Sequence, residues 1–207
     1  MNVDMHVHTV YSYDAITKID ELIRKCKKKN IVPAITDHNN IKAWKELKKR
    51  KFKFIPGEEI LTDKGDLIGL FIQEEIKKGT DFFEAVDLIR EQGGIPYLPH
   101  PFDVFRKGVQ CKECLKKVDI IEVINAKSNF IFDRMANQEA ETLKKLKGAG
   151  SDAHIPSDIG NAYVKMKDVE LEPNQFLKAL KNSEVRLVKR TGIISRLLSL
   201  EKKMKIK

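Results

Sequence analysis

Residues 2–15 read "NVDMHVHTVYSYDA". His6 and His8 bracket Val7, and Asp14 follows six residues after His8. "VDMHV" (3–7) is a strand candidate. On a strand, residues two apart point to the same side. Both imidazoles therefore face one way, and Val7 packs outward. Such a pair is either a half-exposed strand face or aimed at one object. The rest of the chain decides between them.

Working outward, short apolar runs alternate with helical patterns. "DELIRKCKKK" (20–29), preceded by Ile19, places Ile19, Leu22, Ile23 and Cys26 at helical spacing. "IVPAIT" (31–36) reads as a buried strand ending in "DHNN" (37–40). "IKAWKELKKR" (41–50) is a helix and "KFKFIPG" (51–57) a third strand. "EEILTDKGDLIGLFI" (58–72) is a hairpin turning at "DKGD" (63–66). "DFFEAVDLIREQGG" (81–94) is a helix capped by Asp81 and ended by Gly93. "IPYLPHP" (95–101) and "VDIIEVINA" (118–126) are strands, and "NQEAETLKKLKG" (137–148) is a helix. "AGSDAH" (149–154) closes a strand at a turn, and "PNQFLKALKNS" (173–183) is a helix. This alternation predicts a parallel sheet with helices outside it. About seven such units suggest a closed or nearly closed barrel, whose chemistry sits at the carboxyl ends of the strands.

All five histidines, His6, His8, His38, His100 and His154, fall at or just beyond such a strand end. A lone histidine is ordinarily structural; five at one mouth are a constellation. Asp14, Asp37, Glu58, Glu59 and Asp152 accompany them. Imidazole mixed with carboxylate is a ligand set for zinc, manganese or iron, not calcium. About eight convergent ligands would serve two or three ions. Without cations, so many acids and bases would be costly to pack together.

The 207 residues suggest one domain over 1–207, with 190–207 a basic helical tail. Lysines and arginines number 39 against 30 acids, a net charge of +9, which favours anionic partners. No run is apolar enough to span a membrane, and no secretory signal opens the chain. Three cysteines fit a reducing, cytoplasmic setting, with Cys111 and Cys114 of "CKEC" expected as a reduced structural pair.

Five ordered segments resemble the motifs of the PHP domain, the polymerase and histidinol phosphatase superfamily. They are "DMHVHTVYSYDA", "TDHN", "IPGEEI", the "PHP" around His100, and "SDAH", spread over residues 4–154. The resemblance implies a distorted seven-stranded, TIM-barrel-like (β/α) barrel with two or three divalent metals (Zn, Mn or Fe) at its mouth. It implies that His6, His8, Glu59 and Asp152 hold one metal. Glu59, as the acid of Gly-x-Glu, bridges to a second held by His100, and Asp14, His38 and His154 hold a third. These eight are also the expected catalytic residues. Asp37 then orients an imidazole from behind. Members with three metals usually have another histidine between the third and fourth motifs. This chain has none there and offers Glu122 or Asn125 instead.

The expected function is a metal-dependent phosphoesterase, a hydrolase acting on a small phosphorylated molecule or a nucleotide through a metal-bridging hydroxide. Arg106, Lys127 and Arg134 each follow a strand end and are candidates for binding substrate phosphate. The same metals would suit an exonuclease trimming RNA or DNA ends, so nucleic acid is an alternative partner. A metal-free RNA-binding subunit is a third reading, disfavoured by the full ligand set.

Overall fold

A computed structural model describes residues 1–192. Its elements are β1 (Asn2–Val7), α1 (Ile19–Lys29), β2 (Ile31–Ile35), α2 (Lys42–Lys49), β3 (Ile55–Thr62) and β4 (Gly65–Leu70). There follow α3 (Phe82–Glu91), β5 (Ile95–Leu98), α4 (Lys112–Lys117), β6 (Ile120–Asn125) and α5 (Phe130–Thr142). The last are β7 (Leu146–Gly150), β8 (Ala162–Lys165), α6 (Pro173–Leu180) and β9 (Glu184–Leu187).

Local chemistry sets the helices. In α1, Ile19, Leu22 and Cys26 are buried on one face. Asp20 and Glu21 sit at its positive end and Lys27, Lys28 and Lys29 at its negative end. Asn30 then turns left-handed (φ 52°) and delivers the chain straight into β2. Asp81 caps α3, accepting from the N–H groups of Phe83 (2.8 Å) and Glu84 (3.1 Å).

The strands form one curved sheet of order β7-β6-β5-β4-β3-β2-β1-β8-β9. β4 runs antiparallel to both neighbours, while β1–β2–β3 and β5–β6–β7 are parallel. The chain just after β7 comes back to β1. Asp152 N–H donates to His6 C=O (2.8 Å), and His8 N–H donates to Ala153 C=O (3.0 Å). These bonds nearly close β1–β7 into a barrel. The other half of the same β1 edge pairs antiparallel with β8.

The strand count is therefore nine rather than the expected seven, because the β8–β9 hairpin extends the sheet beyond β1. Both strands are only four residues long, too short for a periodicity argument. A second correction concerns "NQEAETLKKLKG": α5 starts seven residues earlier and stops at Thr142, and Leu146–Gly150 is strand. Lys144 turns left-handed (φ 52°) to make that break. A third is the cysteine pair, which is a disulfide across the start of α4, not a reduced pair. Residues 190–192 are irregular, and the rest of the expected helical tail lies outside the described residues.

Two apolar clusters hold the barrel. One joins Val7 and Ile121 to helix residues such as Leu22, Leu47, Phe82 and Leu115. The other gathers Met5, Ile55, Ile68, Tyr97 and Ile120 with Phe176 and Leu180 of α6. Among the described residues no helix is long and apolar enough to cross a membrane.

Candidate metal centre

Residues in or just beyond several strands of the barrel bring polar side chains to one mouth. Glu59, in the middle of β3, is the hub. Its Oε1 lies 3.0 Å from His100 Nε2 and 3.4 Å from His6 Nε2. Its Oε2 lies 3.0 Å from His38 Nδ1 and 3.3 Å from His8 Nε2. Asp152 Oδ1 is 3.4 Å from His8 Nε2 and 3.3 Å from His154 Nδ1. Asp14 reaches His154 Nε2 (3.2 Å) and His38 Nε2 (3.6 Å). All eight residues expected at the centre are thus brought together.

The pair that opens the chain is held from behind. His6 Nδ1 lies 3.3 Å from Glu122 Oε1, and a carboxylate can only accept there. Ser12 Oγ donates to Asp37 (2.9 Å), so His8 Nδ1, 3.1 Å from that oxygen, supplies the proton they share. Both imidazoles then present bare Nε2 lone pairs forward, and these two atoms are 3.1 Å apart. Facing lone pairs at that distance call for a cation. Glu59 Oε2, Asp14 Oδ1 and Asp152 Oδ1 are buried at the same place, close to imidazole nitrogens but without a well-aligned hydrogen bond. The donor set and these orphaned atoms fit divalent metal ions.

Three groups of candidate ligands converge within 4.8 Å: His8, His38 and His154; His6, His100 and Asp152; and His6, His8 and Glu59. A fourth, Glu59, Asp66 and His100, contains a residue that the sequence reading missed. "DKGD" had placed Asp66 in a turn, where a side chain has no assigned face. The register pairs Leu61 with Asp66. Residues directly across share a face, and Leu61 shares one with Glu59. A hairpin tightened by one residue would have put Asp66 there.

Glu122 is already occupied. Besides His6, it accepts from Tyr97 Oη (2.7 Å), His100 N–H (2.8 Å) and Asn125 Nδ2 (2.8 Å). It fixes His6 and the His100 backbone rather than facing the cleft. Asp37 acts similarly on the other side, accepting from Thr9 N–H (2.6 Å), Thr9 Oγ1 (2.7 Å) and Ser12. Through Ser12 it orients His8, as expected.

Protons compete with cations for these lone pairs. Burial lowers His6 and His38, but the charge of Glu59, with Glu122 or Asp14, outweighs it. They rise to about 9 and about 10 respectively. Burial and the neighbouring Lys127 push His154 down to about 3. Burial raises Glu59, yet His38 and His6 hold it well below the carboxylate range. Burial and the charge of Glu59 raise Asp66 to about 6.

A cleft of about 160 Å³ opens over the cluster, lined in part by Asp14, His38, Glu59, Asp66, Arg106 and Lys127. Arg106 bonds Asp152 Oδ2 and, at 2.8 Å, Asn125 Oδ1. Lys127 Nζ lies 2.6 Å from His154 Nδ1 and 3.6 Å from Asp152 Oδ1. Both expected phosphate-binding cations are therefore at the mouth. Arg134 is not: it is exposed on α5 and does not line the cleft.

The backbone is strained where it turns into the site. His100 (φ 29°) and Asp152 (φ 51°) are both left-handed, unusual for non-glycine residues. Gly150 permits the close pass of β7 over β1: a Cβ there would meet His6 Cβ at 2.3 Å and Glu122 Oε1 at 2.6 Å. Gly150→Ala is expected to destabilise the fold by about 2 kcal/mol and to weaken metal binding. Denaturant melts and metal titration of the variant would check both. Wild-type values in both would mean that the strands separate at no cost.

A PHP-associated family model matches residues 131–185. The uncharacterized protein MJ0417 of Methanocaldococcus jannaschii is 41% identical over 203 residues, covering 91% of this chain and 83% of that one. Among solved structures, PsfC from Pseudomonas syringae superposes with a TM-score of 0.69 at 16% identity, covering 99% of this chain and 96% of that one. A candidate metal-dependent phosphoesterase from Bifidobacterium adolescentis gives 0.61 at 15% identity, covering 73% and 87%. The lesion-specific endonuclease PfuEndoQ from Pyrococcus furiosus gives 0.65 at 16%, covering 89% of this chain and 57% of its own.

Proposed function

The chain belongs to the polymerase and histidinol phosphatase superfamily, and we propose from that premise that it is a metal-dependent phosphoesterase. The observation that carries the reading is the convergence of Glu59 with four imidazoles beneath a cleft lined by Arg106 and Lys127. His6, His8, Glu59 and Asp152 would hold one ion. Glu59, His100 and Asp66 would hold a second, Asp66 adding a third ligand in a chain that lacks the extra histidine. Asp14, His38 and His154 would hold a third. When bound, such ions supply Lewis acidity toward phosphoryl oxygens and acidify water.

The protein's own groups do the rest. Glu122 and Asp37 keep the Nε2 atoms of His6 and His8 turned to the centre. Arg106 presents a fixed positive charge at the cleft wall, and Lys127, held well below the usual lysine range by burial and by Arg106, adds N–H donors beside it, where peripheral phosphoryl oxygens would lie. No serine or cysteine is among the residues that line the cleft, and Ser12, which meets His8 Nδ1, is buried behind it and donates its proton to Asp37. Two structural neighbours support this chemistry, a candidate metal-dependent phosphoesterase and a lesion-specific endonuclease by their names.

The test is phosphate release by chelator-stripped protein reloaded with Mn²⁺, Zn²⁺ or Fe²⁺. Mononucleotides, nucleotide bisphosphates, sugar phosphates and short oligonucleotides are the substrates. Turnover should appear with metal and vanish with chelator. Metal-loaded protein that turns over none of them would overturn the reading. The net charge of +9 keeps the end-trimming nuclease as a second reading. In that case oligonucleotide binding should weaken steeply with salt.

A further inference from the structure

Apolar side chains stand in water at the lip of the cleft. Phe105 lines the cleft and yet is 89% exposed, and its neighbour Val104 is 61% exposed. They lie in a single 3-10 turn, Val104–Arg106, between His100 and α4. The turn is well fixed. Asp103 C=O accepts from Arg106 N–H (3.0 Å) and Gly108 N–H (2.9 Å), and Phe102 N–H donates to Val109 C=O (3.2 Å). Arg106, the next residue, reaches inward to Asp152 and Asn125. The ring is therefore held outward by a rigid turn whose following side chain points at the metal ligands.

A second exposed aromatic follows the loop tied to this turn. Ser128 Oγ donates to Asp103 Oδ2 (2.9 Å), which ties the Lys127 loop to the Phe105 turn. Two residues after Ser128, Phe130 begins α5 and is 66% exposed. The mouth thus has metal ligands at its floor, cations on its wall and the exposed Phe105 ring at its lip.

We propose that Phe105 is the stacking platform for the base of a nucleoside phosphate, so that the leaving group is a nucleoside or the strand that ends in one. The proposal rests on the phosphoesterase reading and sharpens its substrate. A phosphate ester of this kind has two parts that match the two parts of the mouth. The anionic group meets Arg106, Lys107 and Lys127, and the flat base covers the exposed ring. Stacking tolerates any base, because each has a π-face. A sugar phosphate would leave the ring in water. The nucleoside phosphate can be a free mononucleotide or the end of a single strand.

The experiment compares Phe105→Ala, Phe105→Trp and the parent, all metal-loaded, on adenosine monophosphate, a short single-stranded oligonucleotide and a sugar phosphate. For Phe105→Ala, KM for the nucleotide should rise roughly ten- to hundred-fold with kcat little changed. The sugar phosphate should be unaffected, and Phe105→Trp should restore nucleotide KM. A larger effect on the oligonucleotide than on the mononucleotide identifies a strand end as the source. Unchanged nucleotide KM in Phe105→Ala, or equal losses on the sugar phosphate, overturns the proposal while leaving the phosphoesterase reading intact. If the parent hydrolyses nothing, the phosphoesterase reading fails. Fluorescence of the Phe105→Trp variant, measured against the parent with its single buried Trp44, then decides the platform alone. Quenching of the introduced indole by adenosine monophosphate supports it, and no quenching overturns it.

Discussion

Glu59→Gln is expected to cost the centre at least one bound ion and to lower phosphate-ester turnover roughly a thousand-fold or more. The carboxylate spans the site: Oε1 faces His100 and His6, and Oε2 faces His38 and His8. Glutamine keeps the volume but replaces one oxygen by an amide nitrogen, which has no lone pair to offer a metal. The variant also loses the negative charge that lets neutral imidazoles and cations share a buried pocket. Metal content after dialysis and calorimetric titration of stripped protein would read the first effect, and the phosphatase assay the second. A Glu59→Gln protein with full metal content and parental turnover would sink the bridging role. The fold should survive, because Glu59 faces polar side chains and not the apolar clusters.

Much of this site was legible because strand geometry is regular. His6 and His8, two apart, had to share a face, and both meet Glu59 and each other. His38, His100 and His154 were readable as strand-end residues because their strands are short apolar runs stopped by polar turns. The ranking of Glu59 over Glu58 came from the resemblance, since two adjacent acids look alike in composition. Residues that depend on register were harder to read. Asp66 needed the hairpin to be closed one residue tighter, and β8–β9 needed a partner strand about 160 residues away. Glu122 needed its four contacts to be seen before its role could be separated from that of a ligand. Arg134 followed a strand end like Lys127, but α5 starts at Phe130 and turns it to the outside.

The neighbour of the hub supplies the second large effect. Glu58→Gln is expected to change how stability varies with pH while leaving the metal centre in place. Strand alternation turns Glu58 to the face opposite Glu59. It is fully buried, its Oε2 accepts from Ile76 N–H (2.9 Å), and its Oε1 has no hydrogen-bond partner. Burial pushes it up from 4.5 to about 8, only partly offset by the Ile76 N–H. A carboxyl raised in the folded state holds its proton there after the unfolded chain has released it. The folded state then binds more protons, so stability falls as pH rises from the unfolded value toward the folded one. Between pH 5 and pH 8 this group alone should lower the parent's stability by about 3 kcal/mol. Glutamine still accepts from Ile76 N–H but cannot ionise. Its amide nitrogen takes the unpartnered Oε1 position, an offset that does not vary with pH. The readout is therefore the slope: urea melts of stripped protein at pH 5, 6.5 and 8 should show the Glu58→Gln protein gaining on the parent as pH rises. Parallel curves would mean that Glu58 ionises in the fold as freely as in water. Metal content equal to the parent's would confirm that the two adjacent glutamates serve opposite faces of one strand.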